Sequence, residues 1–202
     1  MYPNHDLELF KKWPIFMEKA LPIYSKIKSC VDNLKTLNDD STTPDVRDYV
    51  YLKLMSSKMA PTIKIPVKTE EKKKTYYKPS IAESEKAFIL HVANQSEIIT
   101  QIKLRQDEHL AKGLTCQPLI VVVGSSIEEI SDYYVHFESV IYKIDTLLKA
   151  VDVCFKIFHV FNLEYPTECV NVWTFIQKYF YGIDCKSDKK ISSVACFMAD
   201  LS

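Results

Sequence analysis

Glycine is scarce in this chain, with three among 202. Phosphate-binding loops of the nucleotide folds rely on several glycines to bring backbone N–H groups against the anion. Three glycines leave little material for one. A charge of either sign is also lacking, since 26 Lys plus Arg face 26 Asp plus Glu. That balance argues against a polybasic nucleic-acid binder and against an acidic tail protein. No two of the six cysteines form a C-x-x-C pair, and the five histidines are as scattered as the cysteines. Structural zinc usually draws paired ligands from one tight turn, so neither a metal nor a cofactor is expected. The cysteines read instead as small buried hydrophobes.

Long apolar runs are absent as well. The longest, Leu119-Ile120-Val121-Val122-Val123, is strand-sized and far too short to span a bilayer. Met1 to Asp6 is polar, and Lys11-Lys12 interrupts the first apolar stretch, so no signal-peptide core is visible. The expectation is an intracellular chain with no membrane association; cytoplasm and nucleus are not distinguished. A hydrophobic fraction of 47% can build a core, which excludes wholesale disorder.

Along the chain, residues 1–60 read as a helical N-terminal segment. Leu9, Trp13, Phe16 and Leu21 recur at helical spacing, with Pro14 and Pro22 expected to cut the pattern into short pieces. A second helix, Val46 to Met59, must stop before Pro61. Residues 61–79, with Lys72-Lys73-Lys74 at their centre, read as a charged linker. Residues 80–185 then show a more regular pattern. Ser80-Ile81-Ala82-Glu83 is a capping box, and Ala87 to Val92 is a strand. Ser96 to Lys112 is an amphipathic helix with Ile98, Ile99, Ile102 and Leu110 inward, closed by Gly113. Pro118 to Val123 is a strand buried on both faces. Strand, helix and strand make a βαβ unit.

Tyr133–Phe137 and Val140–Ile144 follow as a hairpin across Glu138-Ser139, a poor two-residue turn. Two helices, Thr146 to Phe161 and Pro166 to Tyr181, are expected to pack on the sheet. Residues 186–202 read as a loose tail. The predicted fold is α/β, with α+β as the neighbouring class: a small mixed sheet with a βαβ unit and a hairpin, packed on two C-terminal helices and preceded by an α-helical segment.

Three places could carry function. Gly124-Ser125-Ser126 follows the buried strand, and a strand running through Gly and Ser into a helix N-terminus can present N–H groups to a phosphate. Ser126-Ile127-Glu128-Glu129 is also a capping box, which explains the serine without a ligand. Lys149, Asp152 and Lys156 form a polar stripe on an otherwise apolar helix, where i,i+3 and i,i+4 ion pairing suffices as an explanation. Lys72-Lys73-Lys74 with Tyr76 and Tyr77 could stack and neutralise a nucleic acid, a route the null net charge ranks last. Cys154 and His159 sit five residues apart on one helix and point in different directions, so no nucleophile–base pair forms there. His91 and Cys116 lie on or near neighbouring strands.

Several of these pieces occur in one order that resembles a known family. They are Ala87-Phe88-Ile89-Leu90-His91-Val92, Gly113-Leu114-Thr115-Cys116-Gln117-Pro118 and Val122-Val123-Gly124. Lys149 to Lys156, Glu164-Tyr165-Pro166, Trp173, Ile176-Gln177-Lys178 and Tyr181-Gly182-Ile183 complete the series. From Ser80 to Gly182 the chain resembles the C-terminal region of the uncharacterised sterile alpha motif domain-containing protein 3-like family of animals. No segment matches the sterile alpha motif itself, so the association activity of that motif is not carried over. The resemblance implies a shortened member that keeps the C-terminal module. It also suggests Lys149, Asp152, Lys156, Gln177 and Lys178 as one shared partner-binding face.

With an aromatic surplus and no coherent catalytic constellation, the sequence points to a non-enzymatic protein-interaction module whose partner is another protein or a second copy. A phosphate or nucleotide binder using Gly124, Ser125 and Ser126 is the alternative. Nucleic-acid association through Lys72–Lys74 is the second alternative.

Overall fold

The computed structural model describes residues 7–27, 31–37, 39, 42–67, 75–185 and 190–202. In chain order the elements are α1 (Glu8–Tyr24), α2 (Val31–Leu37), α3 (Pro44–Lys58), β1 (Ile65–Val67) and β2 (Thr75–Tyr77). Next come α4 (Ile81–Phe88), β3 (Ile89–Val92), α5 (Ile98–Ala111), β4 (Leu119–Gly124), β5 (Ile130–Phe137) and β6 (Val140–Ile144). The last are α6 (Leu147–Val160), α7 (Val170–Phe175), which continues as a π-helical turn over Ile176–Phe180, and α8 (Ser192–Asp200). The class is α/β, and the chain forms two compact units. One is Pro61–Cys169; the other joins Met1–Ala60 to Val170–Ser202.

The 61–169 unit is built on a four-stranded mixed sheet of order β3-β4-β5-β6. β3 and β4 are parallel, with Leu90 opposite Val121, and α5 is the crossover between them. β5 and β6 complete the sheet as an antiparallel hairpin, Phe137 opposite Val140. Glu138 makes the turn at φ 56°, in the left-handed region an L-residue adopts at a cost of about 1–2 kcal/mol. The α5 face of the sheet is a core of Leu90, Val92, Leu119, Val121, Val123 and Tyr134 against Ile98 and Ile102. α5 ends at Gly113, φ 68°, in a Schellman closure: Leu114 N–H donates to the His109 carbonyl at 2.8 Å and Gly113 N–H to Leu110 at 3.0 Å. On α6, the Thr146 hydroxyl caps the first turn through Lys149 N–H at 3.2 Å.

Residues 61–79 differ from a plain linker. β1 and β2 pair antiparallel, Ile65 opposite Tyr77, and the Ile65 side chain is buried. The alternation around Tyr76 and Tyr77 is too short to show as a strand beside so many lysines. Lys72–Lys74 lie outside the described residues. Residues 125–129 also differ: the chain turns directly into β5 where the capping box suggested a helix.

The other unit is helical. α1 runs unbroken through Pro14 and Pro22. Each proline removes one backbone bond, yet Leu9, Trp13, Phe16, Ala20 and Tyr24 are all buried along one stripe, and that packing outweighs the two lost bonds. Phe16 is the hub of an aromatic core, its ring centroid 5.2 Å from Trp13, 5.3 Å from Phe180, 5.8 Å from Phe175 and 6.2 Å from Phe197. Asn171 fastens the end of α3, donating through Nδ2 to the carbonyls of Met59 at 3.2 Å and Ala60 at 3.0 Å.

Here the expected boundaries shift. Of the two C-terminal helices, α6 covers the sheet, whereas α7 belongs to the helical unit, so the unit boundary falls at residue 170 rather than 185. Residues 192–200, read as a loose tail, form α8 with Val194 and Phe197 buried. Phe197 stacks on Phe175 at 4.8 Å, a long-range contact that local composition does not reveal.

Candidate functional site

In the 61–169 unit, a cleft of about 370 Å³ runs beside the outer edge of the sheet. One wall is β3 and its continuation: Leu90, His91, Val92 and Ala93 in succession. The facing wall is α5, through Gln101, Leu104, Arg105 and Glu108; Glu83 and Lys86 of α4 and Tyr77 of β2 close one end. β3 is the last strand of the sheet and pairs only with β4 among the described residues. An edge strand turns the N–H and C=O groups of alternate residues outward.

His109 and Glu168 line the same cleft and are nearly sealed, with side chains 5% and 6% exposed. His109 Nε2 lies 3.1 Å from Glu168 Oε1, and Nδ1 lies 3.3 Å from the Thr115 carbonyl oxygen. Each ring nitrogen is therefore engaged, Nε2 with the Glu168 carboxyl and Nδ1 with the Thr115 carbonyl. Burial works to raise the Glu168 pKa, but the hydrogen bond from His109, aided by a backbone N–H and the Arg105 charge, holds it below the ordinary carboxylate value. With both nitrogens engaged, His109 has no lone pair to offer as a general base. Cys116 is exposed, yet partial desolvation of its thiol still raises its pKa, away from the thiolate a nucleophile needs.

Around the mouth, Glu83 accepts from Ser80 N–H at 2.9 Å and Ser80 Oγ at 2.8 Å in the expected capping box, and it lies 3.9 Å from Lys112 Nζ. Lys112 rests over the Tyr77 ring, 4.4 Å from its centroid. Burial, then the Glu83 carboxylate beside it, push the Tyr77 phenol well up, so it stays protonated. Arg105 Nη1 donates to the Lys86 carbonyl at 3.5 Å, which hangs the guanidinium at the end of α4.

Of the residues singled out in the sequence, Tyr77 and His91 line the cleft, whereas the Gly124 turn and the five-residue face do not. Gly124 ends β4 because the returning chain crowds it. A Cβ there would meet the Glu129 carbonyl oxygen at 2.6 Å and Ile130 Cα at 2.7 Å. Its carbonyl accepts from His91 Nε2 at 2.9 Å, and Ser125 Oγ donates to the Glu129 carboxylate. Ser126 sits in the same turn, with no helix N-terminus behind it to gather N–H groups. The proposed face of five residues divides between the two units. Lys149 and Lys156 close on a fully buried Asp152 at 3.4 and 2.9 Å in one. In the other, Gln177 is buried and donates to the Ile183 carbonyl at 3.2 Å, while Lys178 pairs with Asp184. Asp152 and Gln177 thus each make contacts within their own unit.

The cleft escaped the sequence reading because α5 was rotated by about one residue. Ile99 and Leu110, expected inward, are 65% and 78% exposed, while His109 is buried. The spacing Ile98, Ile102, Arg105, His109 is itself a helical stripe, and a histidine continuing an isoleucine stripe was the available signal.

No family model, curated protein or solved structure matches this chain. Among the described residues, no group of three or more His, Cys, Asp or Glu could hold a metal ion, and no helix is long and apolar enough to cross a membrane. Fold and cleft together define an α/β unit whose sheet edge opens into a groove.

Proposed function

We propose that the protein is a non-enzymatic interaction module that captures an extended segment of a partner protein along the outer edge of β3. The observation that carries this reading is the wall of the groove: successive residues of an edge strand, faced by α5 across a cleft of about 370 Å³. An extended chain laid there extends the sheet by main-chain hydrogen bonds, and the side chains on α5 and α4 select its sequence. The engaged His109 and the raised Cys116 thiol favour binding over catalysis.

Panning the full chain against a displayed library of random peptides should enrich extended, β-branched sequences. Hydrogen exchange with an enriched peptide should then slow at amides in 89–93. Enrichment with protection confined to other segments, or no enrichment, would count against the reading.

A second copy is a further partner, favoured by the opposite edge of the sheet. β6 pairs only with β5 among the described residues, and it exposes Val140 and Tyr142 near Phe161, whose ring lies 4.9 Å from Phe137. Two β6 strands paired antiparallel about Tyr142 set Lys143 opposite Ile141 of the second copy, so no like charges meet. Light scattering across a dilution series should show a dimer that Tyr142→Lys dissociates. A monomer at every concentration would remove this surface from consideration.

A further inference from the structure

The charges around the groove are unevenly committed. Three of its acids are held by neighbours: Glu83 by Ser80 and Lys112, Glu97 by Asn94 at 3.1 Å, and Glu168 by His109. Glu108 is the remaining acid on the wall. Against it stand Lys86 and Arg105, neither of them in an ion pair among the described residues. Arg105 spends one N–H on the Lys86 carbonyl, and that bond brings the guanidinium to the turn of α4 that carries the Lys86 side chain. A guanidinium has five N–H donors, so most of its capacity faces the cleft unspent.

Two cations gathered at one end of a strand-edged groove select for negative charge in whatever lies along it. Elsewhere the lining mixes polar Gln101 and His91 with apolar Leu90, Val92 and Leu104, and suits an ordinary extended backbone. A compact free anion would use the cations but leave the strand edge idle, whereas an extended peptide uses both.

We infer that the groove takes an acidic extended peptide, its main chain pairing with β3 and one anionic side chain, carboxylate or phosphate, held between Lys86 and Arg105. The inference rests on the strand-addition reading above and adds the class of ligand.

The test uses the full chain and four fluorescein-labelled strand-forming peptides identical except for a central glutamate, glutamine, lysine or phosphoserine. Fluorescence anisotropy should show the glutamate or phosphoserine peptide binding at least about tenfold more tightly than the lysine peptide. The tighter of the two anionic peptides identifies the source of the charge. Raising salt to about 0.5 M should weaken the anionic peptides and spare the glutamine one. The double variant Lys86→Glu/Arg105→Glu should invert the order of glutamate and lysine peptides. Since both side chains are at the surface or rim, circular dichroism should show that variant folded.

Equal binding of glutamate, glutamine and lysine peptides would overturn the acidic preference while leaving strand addition standing. If none of the four binds and the 89–93 amides show no added protection, strand addition falls and the acidic preference with it.

Discussion

Replacing Glu168 with leucine is expected to cost the 61–169 unit about 1–3 kcal/mol, the penalty for leaving a buried hydrogen-bonding partner unsatisfied. The loss follows because His109, 5% exposed, keeps its Nδ1 contact with the Thr115 carbonyl but is left with no partner at Nε2 in a buried site. Replacing both members, His109→Leu with Glu168→Leu, removes the unsatisfied ring nitrogen and should recover most of the stability. The two tryptophans, Trp13 and Trp173, both lie in the helical unit, so tryptophan fluorescence is the wrong reporter for this change. Hydrogen exchange at the β4 amides is the right one, because β4 is the fully buried centre of the sheet. A single variant as stable as the parent, or a double variant no better than the single, would overturn the pairing of His109 with Glu168 as a stabilising contact.

The pair has a pH signature of definite sign. Glu168 titrates below the ordinary carboxylate value in the folded protein. Its contribution is present above the unfolded value, near 4.5, and is lost as the pH falls through the lower folded one. The Glu168→Leu variant should therefore lose less, relative to its parent, in acid than at neutral pH.

Much of this unit is legible in the sequence because it is local. The apolar run Leu119–Val123, the glycine at 113 and the capping box at Ser80 each fix an element through nearest neighbours. What was hidden depends on partners distant in the chain. His109 meets Glu168 across 59 residues of sequence, a separation given by their numbers alone. α8 owes its order to Phe197 stacking on Phe175 and packing on Phe16, and β1 needs β2 to exist at all. Gly124 illustrates a different failure. It was read as freedom to approach a ligand, but the close approach it permits is that of its own chain at Glu129 and Ile130. A single glycine after a strand reports crowding without naming the crowder.

The helical unit carries the opposite pH dependence. Trp13 Nε1 donates to Asp48 Oδ1 at 2.6 Å, and burial raises the Asp48 pKa from 3.8 to about 6, with the Trp13 hydrogen bond pulling down and Asp45 nearby pushing up. A carboxyl raised on folding binds its proton more tightly in the folded state. Its stabilising contribution is fully present below pH 3.8 and is lost as the pH rises through about 6. At about 1.4 kcal/mol per tenfold in proton affinity, the ionised carboxylate costs the unit up to about 3 kcal/mol at pH 7.5. Asp48→Asn keeps an oxygen for Trp13 and cannot ionise. It should nearly match the parent at pH 4 and exceed it by about 2–3 kcal/mol at pH 7.5, the gap opening between about pH 4 and 6 and levelling off above. Urea unfolding followed by tryptophan fluorescence reads this directly, since Trp13 is itself the donor. A stability difference that stays flat from pH 4 to 7.5 would mean that Asp48 ionises as freely in the folded chain as in the unfolded one.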